Sequence, residues 1–146
     1  MHIIDFKAAH DSDIHWCLEI YMDAMQPLVA ELLPEWNVQR LKCSFEQSFK
    51  LEEVKIIFDQ NKRVGWIQEQ NHIDKVVLGQ IYVHADCRGG GIGTAAMKLF
   101  LAKAEKQKLP CELWVMKNNP ARQFYLRLDF KIVEENETKY RMIRTA

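Results

Sequence analysis

Hydrophobic residues recur along this chain at two spacings, and the spacing changes where turn-forming residues fall. From His2 to Ala8 apolar and polar positions alternate, which predicts a short strand. Asp11-Ser12 then offers an N-cap, and Ile14, Cys17, Leu18, Tyr21, Met22 and Met25 share one helical face until Pro27, which should disturb that helix. After Pro34, Asn37 can cap a second helix carrying Val38, Leu41 and Phe45. Three strand-like runs follow, Val54 to Phe58, Val64 to Ile67 and Lys75 to Val83. The turn-formers Asp59-Gln60-Asn61-Lys62 and Gln70-Asn71-His72 separate them, so they predict an antiparallel meander.

Beyond a glycine-rich segment, Gly93, Met97, Phe100, Leu101 and Ala104 repeat with helical period, and Pro110 ends that helix. Cys111 to Met116 reads as a buried strand. Asn119-Pro120 supplies a cap and a first-turn proline for a helix bearing Ala121, Phe124, Tyr125 and Leu128 on one face. Phe130 to Val133 and Tyr140 to Ile143 close the chain as strands around a solvated turn containing Glu134, Glu135 and Glu137. The alternation of strands and helices predicts an α/β fold.

Composition narrows the reading. At 146 residues, with 48% hydrophobic and 27% charged positions, residues 1–146 fit one domain with a single packed core. The formal net charge is zero, so no global positive field draws the protein to nucleic acid or to an anionic membrane, and neither is expected as a partner. The apolar run at the N-terminus is too short for a signal peptide and no stretch has the length of a membrane span, so a cytoplasmic address is expected. Cys17, Cys43, Cys87 and Cys111 form no C-x-x-C pair and have no histidine at metal spacing, which predicts reduced structural thiols and no metal site.

The densest chemical signal is Arg88-Gly89-Gly90-Gly91-Ile92-Gly93-Thr94, with four glycines in five residues between a predicted strand and a predicted helix. Successive backbone N–H groups at a helix N-terminus favour an anion. No Ser, Thr, Asp or Asn stands at the cap position, so several donors lack a partner unless a ligand such as a pyrophosphate accepts them. A plain turn would need only one or two glycines. A Walker-type loop is excluded because Gly93 is followed by Thr94-Ala95. Gly91-Ile92-Gly93-Thr94-Ala95-Ala96 does match G-x-G-x-x-A, with Glu112 about 20 residues on, which raises a dinucleotide-binding alternative. Against it, Glu112 falls near the start of its strand and too little chain follows for a doubly wound sheet.

With Arg88, Gly91 and Gly93 as Arg-x-x-Gly-x-Gly after Ile81-Tyr82-Val83, the sequence resembles the GNAT superfamily of acyl-coenzyme A-dependent N-acyltransferases. Asn118-x-x-Ala121-x-x-Phe124-Tyr125-x-x-x-Asp129-Phe130 is similar to that family's second motif, in the right order. The resemblance spans roughly residues 54 to 143. It implies a GNAT-like mixed, mostly antiparallel central sheet of 6–7 strands flanked by about four helices. It also implies acetyl-CoA as cosubstrate and transfer of the acetyl group to a primary amine by direct attack in a ternary complex. Carried over by position, main-chain groups of Ile81 and Val83 meet the pantetheine arm, and the amides of Arg88, Gly89, Gly90, Gly91, Ile92, Gly93 and Thr94 cradle the pyrophosphate. Asn118 borders the cofactor and Tyr125 faces the thioester sulfur as the catalytic residue. Two positions depart from the pattern: Asp129 replaces a usual glycine, though aspartate tolerates the left-handed conformation, and Ala85 replaces a frequent proline.

An alkyl amine with pKa near 10.4 is neutral in only about one molecule in a thousand at neutral pH, so its proton must be shed before attack. Some relatives use a carboxylate on the strand before the loop; here that stretch reads Val76-Val77-Leu78-Gly79-Gln80, and Gln80 is no base. His84, Asp74 and a water chain remain open, and no general base is assigned. The loop from Met25 to Trp36, with Glu31, Glu35 and Trp36, is one place where a cationic amine could sit by charge pairing or cation–π contact. Small-molecule and peptide amines both fit as acceptors. The competing class is an acyl-CoA-binding regulatory module without turnover. Edge strands of so small a sheet permit a homodimer without requiring one.

Overall fold

The computed structural model describes residues 2–146. Seven strands form one sheet: β1 Ile4–Ala8, β2 Val54–Asp59, β3 Lys62–Asn71, β4 Val76–Val83, β5 Cys111–Met116, β6 Lys131–Glu135 and β7 Lys139–Arg144. Four α-helices accompany them: α1 Ile14–Leu32, α2 Val38–Ser48, α3 Ile92–Lys106 and α4 Ala121–Arg127. The spatial order is β1-β2-β3-β4-β5-β7-β6, and every neighbouring pair is antiparallel except β4 with β5. This matches the mixed, mostly antiparallel sheet expected, and a single parallel pair is not the doubly wound sheet that the dinucleotide alternative requires.

Adjacent strand residues point to opposite faces, and the sequence uses this to build two cores. Ile57 and Ile67, with Leu78, Leu113 and Met142, pack against Met97 and Phe100 of α3. Their neighbours Ile56 and Trp66 turn the other way, onto Cys17 and Tyr21 of α1 and Leu41 and Phe45 of α2. One glycine is fixed by this packing: a Cβ at Gly65 would lie 2.1 Å from the Tyr82 carbonyl oxygen, so no larger residue lets β3 approach β4 as it does. Burial pushes the thiols of Cys17 and Cys111 up to about 12, as expected of structural cysteines.

Asn37 caps α2 as expected, accepting the Arg40 N–H at 2.8 Å. Pro27 does not end α1, which runs unbroken to Leu32. A proline in a helix interior costs about 3 kcal/mol, through its missing N–H and the clash of its ring with the carbonyl four residues back. Cys17, Ile20 and Tyr21 before the proline and Val29 after it are all buried in the same core, and that packing outweighs the local loss. Consequently the expected loop from Met25 to Trp36 is mostly helix, and Glu31 sits on it. No helix among the described residues is long and apolar enough to cross a membrane.

Glu69 on β3 is buried between Lys55 of β2, at 3.0 Å, and Lys103 of α3, at 3.1 Å. Burial alone would raise its pKa, but the hydrogen bonds and charges of the two lysines win and hold the carboxyl below its usual value. A depressed carboxylate contributes stability above its unfolded pKa and loses it as pH falls through the folded one. Thermal denaturation should therefore show the wild-type Tm dropping more steeply than that of Glu69→Gln as pH is lowered below about 4.3.

Candidate active site

The site begins where two strands part. β4 and β5 run side by side only through Val76–Cys111, Val77–Glu112 and Leu78–Leu113. At Gly79 the register of β3 with β4 slips by one residue, so that Gln68 faces Gln80 while Glu69 faces Leu78. Such a bulge bends the strand and increases its twist. Past it, β4 remains paired to β3, but its other edge has no strand beside it.

Which groups line that edge follows from alternation. The His84 N–H donates to the Val64 carbonyl at 2.7 Å, so Tyr82 directs its main-chain groups toward β3 while those of Ile81 and Val83 point into the split. The Val83 carbonyl accepts from Arg88 Nε at 3.0 Å, leaving its N–H exposed to the split. Arg88 also reaches Asp23 of α1 at 3.3 Å, so its guanidinium fastens α1 to the end of β4.

After a single 3-10 turn, Ala85–Cys87, the chain enters the glycine segment, with Gly89 at φ 83° and Gly91 at φ 86°. Both lie in the left-handed region that residues with a Cβ avoid. Gly91 is the N-cap of α3, and the first helical bond runs from Ala95 N–H to its carbonyl at 3.0 Å. The Arg88 N–H is taken by the Ala85 carbonyl at 3.4 Å, so the unpaired run starts one residue later than expected. From Gly89 through Thr94, six successive amides find no acceptor among the described residues. A patterned glycine turn at the mouth of a helix thus presents a set of uncommitted donors, the arrangement that accepts a phosphate group. His2 braces the loop from behind, its Nε2 paired with the Gly90 carbonyl and its Nδ1 2.7 Å from Asp59 Oδ2. Nothing in the sequence spacing announces that contact, because it joins positions 88 residues apart.

The split opens into a cavity of about 350 Å³. Its walls include Ile81 and Tyr82 of β4, Val115 and Met116 of β5, Tyr125 of α4 and residues of α1 and α2. Tyr125 is 8% exposed, and its hydroxyl has no hydrogen-bond partner among the described residues. Burial pushes its phenol well above the ordinary range, with Cys111 adding to the shift, so it holds its proton at any physiological pH. Asn118 donates to the Leu28 carbonyl at 3.0 Å and to Glu31 at 3.1 Å, which ties the end of β5 to α1. Its Oδ1 is buried without a partner, and Asn118 lies just outside the cavity lining, in which its neighbour Asn119 stands. Asp129 takes φ 71°, the left-handed turn that its place in the motif requires.

Other candidates fall elsewhere. His84 stacks on Trp16 at 6.3 Å and accepts from the Asp86 N–H, outside the cavity walls, and Asp74 lies on the exposed β3–β4 turn. Trp36 does line the cavity, and Arg40 lies over one face of its ring at 4.4 Å. Glu112 is bound to Arg141 at 2.6 Å and to Lys75 at 3.5 Å, on the sheet and away from the loop. No group of three His, Cys, Asp or Glu side chains that could hold a metal occurs among the described residues.

Comparison with known proteins bears on this geometry. The family model described as acetyltransferase (GNAT) domain matches residues 50–132. An uncharacterised N-acetyltransferase of Methanocaldococcus jannaschii is 35% identical over 82 residues, 55% of this chain and 36% of that relative, so the chain spans about a third of its length. PaiA N-acetyltransferase of Thermoplasma acidophilum, solved with coenzyme A, superposes with a TM-score of 0.79 at 14% identity over 99% of both chains. Arabidopsis thaliana Naa50, solved with the bisubstrate analogue CoA-Ac-MVNAL, gives 0.64 at 19% identity over 98% of this chain and 99% of that one. At such identities the structural likeness speaks for the fold.

The loop geometry predicts an asymmetry between two glycines. At Gly91→Ala the positive φ should cost about 1 kcal/mol of folding stability. Gly93→Ala, whose Cβ would meet only Val83 Cγ2 at 3.9 Å, should be nearly neutral in the same urea titration.

Proposed function

The chain belongs to the GNAT acetyltransferase family, and from that premise we propose that it transfers the acetyl group of acetyl-CoA to a primary amine by direct attack within a ternary complex. The observation that carries the proposal is the run of uncommitted amides from Gly89 to Thr94, whose combined partial charge suits a pyrophosphate. Asn118 Oδ1, buried without a partner, fits the same cosubstrate by offering an acceptor to an amide of its pantetheine arm. Bound there, acetyl-CoA supplies an activated thioester: the amine nitrogen bonds to the carbonyl carbon, the carbon–sulfur bond breaks, and one nitrogen-bound proton is finally carried by the sulfur.

This chain's residues divide the work. The main-chain groups of Ile81 extend the sheet to the pantetheine arm, in place of the strand that β5 no longer provides, while the Val83 carbonyl stays with Arg88. The Val83 N–H stands where the carbonyl oxygen gathers negative charge, a contribution of about 3 kcal/mol in comparable sites. Tyr125 donates a hydrogen bond to the departing sulfur. Its raised pKa makes complete proton transfer unfavourable, so it acts by holding the thiolate rather than by ionising.

Calorimetry should detect coenzyme A binding in the micromolar range, and failure to bind at millimolar concentration would refute the proposal. Tight binding with no thiol release across a broad amine panel would favour the regulatory module instead. Tyr125→Phe should lower kcat about tenfold with little change in coenzyme A affinity; an unaltered kcat removes the tyrosine from the chemistry. With an alkylamine acceptor at subsaturating concentration, the rate should climb about tenfold per pH unit from 7 to 9, following the neutral fraction of the amine.

A further inference from the structure

Three side chains in the cavity wall form a hydrogen-bond chain whose direction is fixed from one end. Gln68 is 4% exposed, and its Nε2 donates to the Ser48 carbonyl at 2.9 Å and to Glu53 Oε1 at 2.8 Å. A backbone carbonyl can only accept, and an ionised carboxylate likewise, so the amide of Gln68 has one permitted orientation. Its Oε1 therefore accepts from Gln80 Nε2 at 3.1 Å, and Gln80 Oε1 in turn accepts the Tyr82 hydroxyl proton at 3.1 Å. Gln68, Gln80 and Tyr82 all line the cavity, whereas Glu53 stands behind them, outside the lining.

We infer that Tyr82 is the positioning residue for the acceptor amine, accepting one of its N–H bonds while its own proton is held by Gln80, and that the amine is carried on an uncharged, largely apolar body. This rests on the acetyl-transfer reading of the same cavity. A neutral amine has two N–H donors and one lone pair, and attack needs the lone pair unoccupied. A hydroxyl free to rotate would donate to that lone pair and blunt the nucleophile. Here the proton of Tyr82 is committed elsewhere, so only its oxygen lone pairs face the amine. Burial keeps the phenol itself un-ionised, with Tyr21 and Tyr125 adding to the effect.

The remaining wall sets what can accompany the nitrogen. Met25, Val29, Leu33 and Trp36 make its α1 and inter-helix side, and Ser44 and Ser48 of α2 add neutral hydroxyls. Among the described residues no Asp or Glu lines the cavity, and the one charged residue that does, Lys139, is a cation. A second ammonium group on the acceptor would be desolvated there without a counter-ion, which is strongly unfavourable.

The test compares n-hexylamine with 1,5-diaminopentane as probes, titrated by calorimetry into the coenzyme A-loaded full chain, with coenzyme A affinity and Tm as controls in every variant. Hexylamine should bind, the diamine should bind at least about tenfold more weakly, and Tyr82→Phe should weaken hexylamine about fivefold with coenzyme A affinity unchanged. Gln80→Met, close in size, frees the Tyr82 proton: hexylamine should still bind while kcat for its acetylation falls about tenfold, a split that a purely structural role would not produce. Absence of hexylamine binding, equal or better binding of the diamine, or an unaffected Tyr82→Phe overturns the inference. Thiol release absent from every amine although hexylamine binds overturns the transfer reading instead, and the binding comparison still decides the role of Tyr82.

Discussion

Everything at the site depends on a pair of parallel strands that separate. Parallel pairing of β4 with β5 lasts for three residues, ending at Leu78–Leu113, and the bulge at Gly79 then turns β4 aside. In a continuous sheet the main-chain groups of Ile81 and Val83 would be consumed by the neighbouring strand. Separation leaves the main-chain groups of Ile81 and the Val83 N–H without a strand partner, while Arg88 takes the Val83 carbonyl, and backbone groups without partners are costly unless something completes them. The same divergence creates the cavity, and it aims the end of β4 into the glycine turn. The open strand edge, the glycine turn at its end and the cavity are therefore consequences of one defect in pairing.

Much of this was legible in the sequence because it is local. Alternation located the meander, helical period located α3, and Asn37 announced its own cap. The glycine segment identified itself by excess, since its left-handed positions and uncapped helix start need no tertiary information. Asp129 in the left-handed region could also be read from residue type alone.

What escaped was decided by contacts distant in sequence. Pro27 is a breaker by every local rule, and only the shared burial of Cys17, Tyr21 and Val29 keeps α1 whole. Reading a loop there missed the helix that carries Glu31 to Asn118, although Trp36 does line the cavity, with Arg40 over its ring. Gln80 looked like the loss of a base; in the fold it is the middle of a chain that begins at Glu53, and although the strand period puts positions 80 and 82 on one face, no local spacing links them to 53 and 68. The polarity of that chain arises from which atoms are left to accept.

The two ties of α1 have a geometric consequence. Asp23 is fastened to Arg88 on the β4 side of the split, and Asn118 on the β5 side holds Leu28 and Glu31. The helix is thus a clasp across an open book, and its rise of 1.5 Å per residue sets the eight-residue reach between Asp23 and Glu31 at about 12 Å. Pro27 sits midway, where the missing amide leaves the Asp23 carbonyl without its helical partner. The spacing between the two sides of the split is therefore set by the rise of α1, a segment separate in the chain from both strands that it joins.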